Sequence, residues 1–386
     1  MEETEMKNKR SLAGSSAAPA ATAAPAEAAD SSAATTDTSA TDASDKVFNI
    51  GVCQLVQHEA LDAATKGFID TLTEKLGADK VNFDVQVAAG DSATCSTIVN
   101  SFVSKKYDLI LANATAALQA AYNATSDIPV LGTSITEYGV ALGIDDFSGT
   151  VGGNVSGTSD LAPLTEQADM ILELFPDAKT VGLLYCSAEP NSEYQVKVVE
   201  EYLTEKGIDC TRFSFADSND VASVTTKAAA DSDVIYIPTD NTAASCTETI
   251  GNIVLAAKTP VIAGEAGLCR GCGVATLSIS YYDLGCKTGE MAAQILLGEA
   301  DVSEMPIAYA DASKQYNIIY FFHGTNETQD SFIGDELVKN AIDNMIDMGI
   351  CEPFIMVCPT YYYNYADRAT NLGSAFHELA QAMVER

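Results

Sequence analysis

The fold is decided by two matching stretches of the 386-residue chain, Asp108-Leu-Ile-Leu-Ala-Asn-Ala-Thr-Ala-Ala117 and Asp233-Val-Ile-Tyr-Ile-Pro-Thr-Asp-Asn-Thr-Ala-Ala244. Each begins with an apolar run, which is typical of a strand buried on both faces of a parallel sheet. Each continues through small polar residues into a helical segment. An x-Pro strand follows both, at 127–132 and 258–264. The repeat predicts two similar α/β lobes, each with its own sheet.

The same alternation of short apolar runs and longer amphipathic stretches extends from residue 47 to about 312, which indicates βαβ units and parallel sheets. We predict strands at 47–56, 81–88, 108–113, 128–133, 180–186, 210–216, 233–238, 259–264 and 274–280. We predict helices near 58–76, 94–105, 115–124, 191–206, 219–229, 241–256 and 281–297. The expected organisation is a first lobe at 47–158, completed by about 284–312, and a second lobe at 159–283.

Residues 1–46 differ in composition. Ala, Ser and Thr supply 26 of the 35 residues at 11–45, too little apolar material to offset the entropy of ordering, so we predict a disordered tether. The segment Ser11-Leu-Ala-Gly-Ser-Ser16 is similar to a bacterial lipoprotein cleavage box but lacks the Cys that would carry lipid. The apolar stretch of a secretory signal is also missing. A random low-complexity tail is the alternative.

Charge and cysteine content narrow the range of possible functions. The net charge of −33 argues against nucleic-acid binding and against a basic membrane patch. Most of the ten Cys lie in apolar runs, where free Cys often acts as a small buried hydrophobe. For the close pair Cys269 and Cys272, free thiols are favoured over a loop disulfide and over zinc, for which a second pair of ligands is missing. No cofactor or metal is expected, and no catalytic motif occurs in residues 47–312.

The polar residues at the strand ends are the candidate ligand contacts, because parallel sheets bind ligands beyond their carboxyl ends. Two facing lobes would form a cleft that closes by hinge motion. Hydroxyl and amide groups of the first lobe are expected to bind an anionic group of the ligand. Three acids, Asp160, Asp240 and Glu265, compete as partners for an ammonium group. We interpret Gly152–Asp160 as a crossover between the lobes, with Ser159 and Asp160 at the hinge. The alternative for each residue is helix capping or solvation. The candidate residues are Leu55, His58, Asn113, Ala114, Thr115, Thr133, Ser134, Ser159, Asp160, Tyr185, Glu189, Asn191, Ser192, Asp240, Asn241, Gly264 and Glu265.

A family resemblance adds to this interpretation. It rests on Asn49–Phe68, with its Gly-Val-Cys-Gln-Leu-Val-Gln-His-Glu-Ala core, and on four shorter motifs: Ala112-Asn-Ala-Thr115, Gly152-Gly-Asn-Val-Ser-Gly157, Ile237-Pro-Thr-Asp-Asn-Thr242 and Ser280-Tyr-Tyr-Asp-Leu-Gly285. Over about 47–312 the chain resembles ABC-transporter substrate-binding proteins of the tryptophan/tyrosine-uptake type.

The resemblance implies a type I periplasmic-binding fold with two Rossmann-like lobes. It further implies a monomeric, non-enzymatic, extracytoplasmic and membrane-associated lipoprotein that passes an aromatic or other amino acid to ABC permease subunits. A ligand sensor is the alternative that the sequence leaves open.

The tail at about 316–386 resembles the N-terminal part of a feruloyl-esterase-like α/β-hydrolase. The resemblance rests on a strand running into His323-Gly324, a helical stretch at 333–349 and a second strand at 353–359. No nucleophile elbow follows, so we interpret the tail as an incomplete and inactive hydrolase fragment. A lineage-specific α/β extension is the alternative.

Overall fold

The computed structural model describes residues 46–309, together with the backbone of 317–320 and 354–357. Residues 46–309 contain two parallel sheets, as the repeat predicts. Three predicted features lie outside the described residues: the first 45 residues of the tether predicted at 1–46, the helical stretch 333–349 and the His323-Gly324 turn.

The first sheet has six strands in the order β11-β5-β4-β3-β1-β2. Its strands are β1 (Phe48–Gln54), β2 (Val81–Val87), β3 (Leu109–Asn113), β4 (Val130–Ile135), β5 (Val155–Ser159) and β11 (Ala308–Tyr309). The strands β3 and β4 are buried along their whole length, because helices cover both faces of the sheet. The helices that precede β5 are α1 (Glu59–Leu76), α2 (Ser92–Ser104), α3 (Thr115–Ala124) and α4 (Tyr138–Leu142).

The second sheet has five strands in the order β10-β9-β8-β6-β7. Its strands are β6 (Thr180–Cys186), β7 (Asp209–Phe215), β8 (Val234–Ile237), β9 (Val261–Ala263) and β10 (Ala275–Thr276). The remaining helices are α5 (Leu164–Leu174), α6 (Pro190–Glu205), α7 (Val221–Asp231), α8 (Asn241–Ser245), α9 (Thr247–Ala257), α10 (Ala266–Cys272) and α11 (Tyr281–Leu296).

The chain returns to the first sheet through α11, which packs closely along α1. A Cβ on Gly285 would lie 2.0 Å from the Ala64 carbonyl oxygen, and a Cβ on Gly67 would lie 2.1 Å from the Tyr282 carbonyl oxygen. The two helices therefore approach at distances that only glycine permits at these positions.

Two local predictions need correction. The stretch interpreted as a crossover contains a buried strand, β5, which pairs with β4; its Gly-, Ser- and Thr-rich sequence hid it. The helix predicted at 241–256 is two helices that meet at Cys246. Cys269 and Cys272 lie on a short helix, α10, as free thiols, the state that the sequence favoured for this pair.

Both apolar stretches predicted as strands in the tail contain a strand, which is shorter than the predicted stretch. The strands β12 (Asn317–Tyr320) and β13 (Phe354–Val357) form a separate parallel pair, with Asn317 opposite Phe354.

Candidate ligand-binding site

A small polar cavity lies where the carboxyl ends of the two sheets meet. Residues at the carboxyl ends of β1, β4 and β5 form one side, together with Tyr281 at the start of α11. Residues that follow β6, β8 and β9 form the other side. Its free volume is about 10 Å³, room for about one water molecule. The lining residues are His58, Ala60, Leu61, Ser134, Thr136, Asp160, Asn191, Thr239, Asp240, Asn241, Ala244, Glu265 and Tyr281.

Four of these residues carry a buried polar atom without a hydrogen-bond partner. The atoms are His58 Nδ1, Ser134 Oγ, Asp160 Oδ1 and Asn191 Oδ1. Buried polar side-chain atoms in native proteins are nearly always paired, so unpaired atoms that converge on one cavity call for an external partner. Asp160 Oδ1 and Asn191 Oδ1 can only accept hydrogen bonds. The cavity therefore favours a ligand that donates several hydrogen bonds.

Asp160 is held so that one carboxylate oxygen stays free. The Tyr281 hydroxyl donates to Asp160 Oδ2 at 2.9 Å, and the Asp160 backbone N–H donates to the Ile135 carbonyl oxygen. The residue is 4% exposed, and this burial raises the pKa of its carboxyl group against the lowering effect of hydrogen bonding by the Tyr281 and Thr136 side chains. A cationic group beside Oδ1 would compensate the buried charge.

Asp240 and Glu265 use both carboxylate oxygens within the protein. Asp240 caps α8 by accepting from the Ala243 N–H at 2.7 Å, and it accepts from the Cys186 N–H at 2.6 Å. Glu265 caps α10 by accepting from the N–H groups of Gly267 and Leu268. The helix-capping alternative thus accounts for both acids, and it leaves Asp160 as the acid with an unpaired oxygen.

Burial raises the pKa of both capping acids to about 7, in Asp240 with a further contribution from the nearby charge of Glu189. A folded-state pKa above the unfolded value near 4 means that the native state binds more protons between those two pH values. Folding stability should then fall as pH rises from about 4 to about 7. We expect the ligand-free protein to have a higher Tm at pH 5 than at pH 7.5. Differential scanning calorimetry checks this, and a Tm that rises over the same interval would contradict it.

Backbone strain also concentrates near the cavity. Ser134 has a φ of +57°, and it lies between Gly132 and Ile135, where the register of β4 against β5 shifts. A non-glycine residue held in the left-handed region is uncommon and often marks a functional position. The strain places the unpaired Ser134 hydroxyl in the cavity, where it can donate to an anionic group.

Side chains from the two sides of the cavity contact each other directly. His58 Nε2 lies 3.1 Å from Asn241 Oδ1, and Arg270 Nη1 lies 2.6 Å from Glu59 Oε2. Gln195 Nε2 lies 3.5 Å from Thr136 Oγ1. These contacts link the two sides of the cavity.

Of the seventeen residues predicted for the site, the structure brings seven to the cavity: His58, Ser134, Asp160, Asn191, Asp240, Asn241 and Glu265. The ten that do not line it are Leu55, Asn113, Ala114, Thr115, Thr133, Ser159, Tyr185, Glu189, Ser192 and Gly264. Their roles as ligand contacts stay predictions.

Several of these ten are used inside the protein. Asn113 donates to Leu61 O and Thr65 Oγ1, and Thr133 joins a buried hydroxyl cluster with Thr158 and Thr288. Ser159 donates to Thr136 O, and Gly264 O accepts from Gln167. Leu55 and Ala114 belong to the core of the first sheet, and Tyr185 belongs to a core cluster of the second.

Sequence reasoning missed six lining residues: Ala60, Leu61, Thr136, Thr239, Ala244 and Tyr281. Tyr281 carries the only available signal, because it opens a helix directly after Ser280, whose side chain caps that helix. Its hydroxyl reaches Asp160 across 121 residues of sequence, which no local pattern reveals.

Comparison with known proteins identifies the family. A family model described as ABC transporter substrate binding protein matches residues 49–341. The chain belongs to this family. Its members are extracytoplasmic solute-binding proteins rather than enzymes. Within the described residues, no helix is both long and apolar enough to cross a bilayer.

Three similar proteins show which members of the family this substrate-binding protein resembles. It is 36% identical over 273 residues to the tyrosine-binding protein of Clostridioides difficile, which covers 70% of this chain and 79% of the relative. An ABC domain of Streptococcus pneumoniae in complex with L-Trp is 34% identical, with a TM-score of 0.66, covering 68% of this chain and 89% of the other. A ligand-free, open substrate-binding protein with adhesive properties from Clostridium difficile is also 34% identical, with a TM-score of 0.54. The match covers 81% of this chain and 100% of the other. The type I periplasmic-binding fold expected from the resemblance is confirmed.

The comparisons do not support the esterase resemblance of the tail. The family model extends to residue 341, beyond the end of the predicted two-lobe region near 312. Among the described residues, no group of three or more His, Cys, Asp or Glu side chains could hold a metal ion.

Proposed function

We propose that this substrate-binding protein captures a free aromatic amino acid in the cleft between its lobes and passes it to the permease of an ABC transporter. The observation that carries the proposal is the buried, unpartnered Asp160 Oδ1, in a cavity that is also lined by Asn191 with its unpaired acceptor Oδ1. A primary ammonium group offers three N–H donors and the positive charge that Asp160 lacks. Two relatives support an aromatic amino acid as the ligand: one is named a tyrosine-binding protein, and the other was solved in complex with L-Trp.

The electrostatics of the cleft support an ammonium group over an anion. Asp160, Asp240 and Glu265 all line the cavity, and neither Lys nor Arg is among its lining residues. The carboxylate of an amino acid is assigned to the Ser134 hydroxyl, on the opposite side from Asn191. The apolar side chains of Ala60, Leu61 and Ala244 remain for the ligand's own side chain.

We assign capture of the ligand to closure of the two lobes about their hinge. The cavity is far smaller than an aromatic amino acid, so the lobes must separate for the ligand to enter. The side-chain contacts across the cavity, His58 with Asn241 and Arg270 with Glu59, support a closed arrangement of the lobes here. Ligand contacts to both lobes would then shift the population from open to closed.

The test is isothermal titration calorimetry with L-tyrosine, L-tryptophan, L-leucine and glucose. N-acetyl-tyrosine is the matched control, because it keeps the ring and the carboxylate but lacks the ammonium group. We expect saturable binding of at least one aromatic amino acid and none of N-acetyl-tyrosine. Binding of none of the amino acids by folded protein, or equal binding of the acetylated form, would overturn the proposal.

A further inference from the structure

His58 stands out among the lining residues because its two ring nitrogens have different surroundings. Nε2 lies 3.1 Å from Asn241 Oδ1, whereas Nδ1 is buried and has no partner. His58 is the N-cap residue of α1, yet its side chain makes no capping hydrogen bond. Helix capping, the alternative left open by the sequence, therefore does not account for Nδ1.

Glu189 determines which way the Asn241 amide points. Its two oxygens accept hydrogen bonds from the backbone N–H groups of Asn241 and Thr242 and from the Thr242 hydroxyl. A carboxylate with this set of donors acts as an acceptor only. The Asn241 side-chain atom 2.7 Å from Glu189 Oε2 must then be the NH₂ group, as assigned. The amide oxygen consequently faces His58.

The Asn241 oxygen in turn determines the tautomer of His58. A carbonyl oxygen only accepts hydrogen bonds, so Nε2 must carry the proton, and Nδ1 of the neutral ring is left with a lone pair. Burial lowers the pKa of His58 below its usual value near 6.5, which keeps the ring neutral at pH 7. The chain Glu189–Asn241–His58 therefore presents one oriented acceptor at the wall of the cavity.

We propose that His58 Nδ1 accepts a hydrogen bond from a ring-borne donor on the ligand, the phenol O–H of tyrosine or the indole N–H of tryptophan. His58 would thereby be a specificity-determining residue that rejects phenylalanine. This inference rests on the proposed function, because it assumes an aromatic amino acid in the cleft. A site built around a buried acceptor discriminates strongly against a ligand that leaves the acceptor unpaired.

The first test needs no variant. Calorimetry on the full-length protein compares L-tyrosine with L-phenylalanine and with O-methyl-tyrosine, which keeps the ring oxygen but has no proton to donate. We expect L-phenylalanine and O-methyl-tyrosine to bind at least roughly tenfold more weakly than L-tyrosine or L-tryptophan, whichever binds tighter. Equal affinities for tyrosine, tryptophan and phenylalanine would overturn the inference while leaving the proposed function standing. Failure of every aromatic amino acid to bind would overturn both.

The second test uses His58→Leu, with Gln57→Ala as the matched control at the exposed neighbouring position. We expect His58→Leu to lose the preference over phenylalanine while its affinity for phenylalanine stays within about threefold of the wild type. Equal loss for all ligands would mean that His58 acts only as a contact between the lobes, and would overturn the inference. Asn241→Leu removes the acceptor that keeps the proton of His58 on Nε2. It should therefore also reduce the preference for tyrosine or tryptophan over phenylalanine.

Discussion

Replacing Asp160 with Asn should remove most of the affinity for the amino acid while making the ligand-free protein no less stable. The variant keeps an acceptor for the Tyr281 hydroxyl but loses the negative charge that we assign to the ligand's ammonium group. Loss of one partner of a buried, hydrogen-bonded charge pair costs about 2–5 kcal/mol. At about 1.4 kcal/mol per tenfold change, this is a loss of roughly 30-fold to several thousand-fold in Kd, measurable by calorimetry.

The stability of the same variant separates a binding role from a structural one. Burial raises the pKa of Asp160, so its ionised form costs free energy in the ligand-free protein at pH 7. We therefore expect an unchanged or higher Tm for Asp160→Asn at that pH.

The matched comparison is Asp240→Asn, whose single amide oxygen can accept from only one of the two backbone N–H groups, of Cys186 or of Ala243, that Asp240 binds. The other buried N–H loses its acceptor, so this variant should lower the free energy of unfolding by about 1–3 kcal/mol, with a smaller effect on affinity. An affinity of Asp160→Asn within about twofold of the wild type would show that the ammonium assignment is wrong.

A methyl group at Gly285 should destabilise the first lobe. Its Cβ would lie 2.0 Å from the Ala64 carbonyl oxygen, a backbone atom that can move only with the whole of α1. Overpacking of this kind costs about 1–3 kcal/mol and occasionally more. The better helix propensity of Ala, worth about 1 kcal/mol, offsets only part of the clash. Urea unfolding followed by circular dichroism should show a lower midpoint for Gly285→Ala.

Two further variants show whether the close approach of the helices is responsible. Gly67→Ala should act in the same direction, because its Cβ would lie 2.1 Å from the Tyr282 carbonyl oxygen. Lys287→Ala, exposed on the same helix, should stay within about 0.5 kcal/mol of the wild type. If Gly285→Ala unfolds at the wild-type midpoint, the two helices are not packed as described.

Much of the fold could be predicted because its signals are local. The runs that form β3 and β8 are continuous apolar segments bounded by polar residues, and strand and helix predictions around them agree with the structure to within a few residues. The strand β5 was missed because its sequence, Val155-Ser-Gly-Thr-Ser159, is mostly small and polar. Its burial comes from pairing with β4 and β11, and its Ser156 hydroxyl donates to the Met305 carbonyl oxygen 149 residues away.

The sequence by itself determined that the chain forms two α/β lobes with polar strand ends, since apolar runs of strand length can be buried only in sheets covered by the intervening helices. It also indicated that Asp160, Asp240 and Glu265 compete for one role. Only the tertiary structure distinguished among them. Asp240 is paired because the Cys186 N–H, 54 residues earlier in the chain, is brought against it, whereas Asp160 receives one tyrosine hydroxyl and keeps an oxygen free. The number of donors around a carboxylate depends on which distant backbone groups the fold brings near it, and no local pattern contains that information.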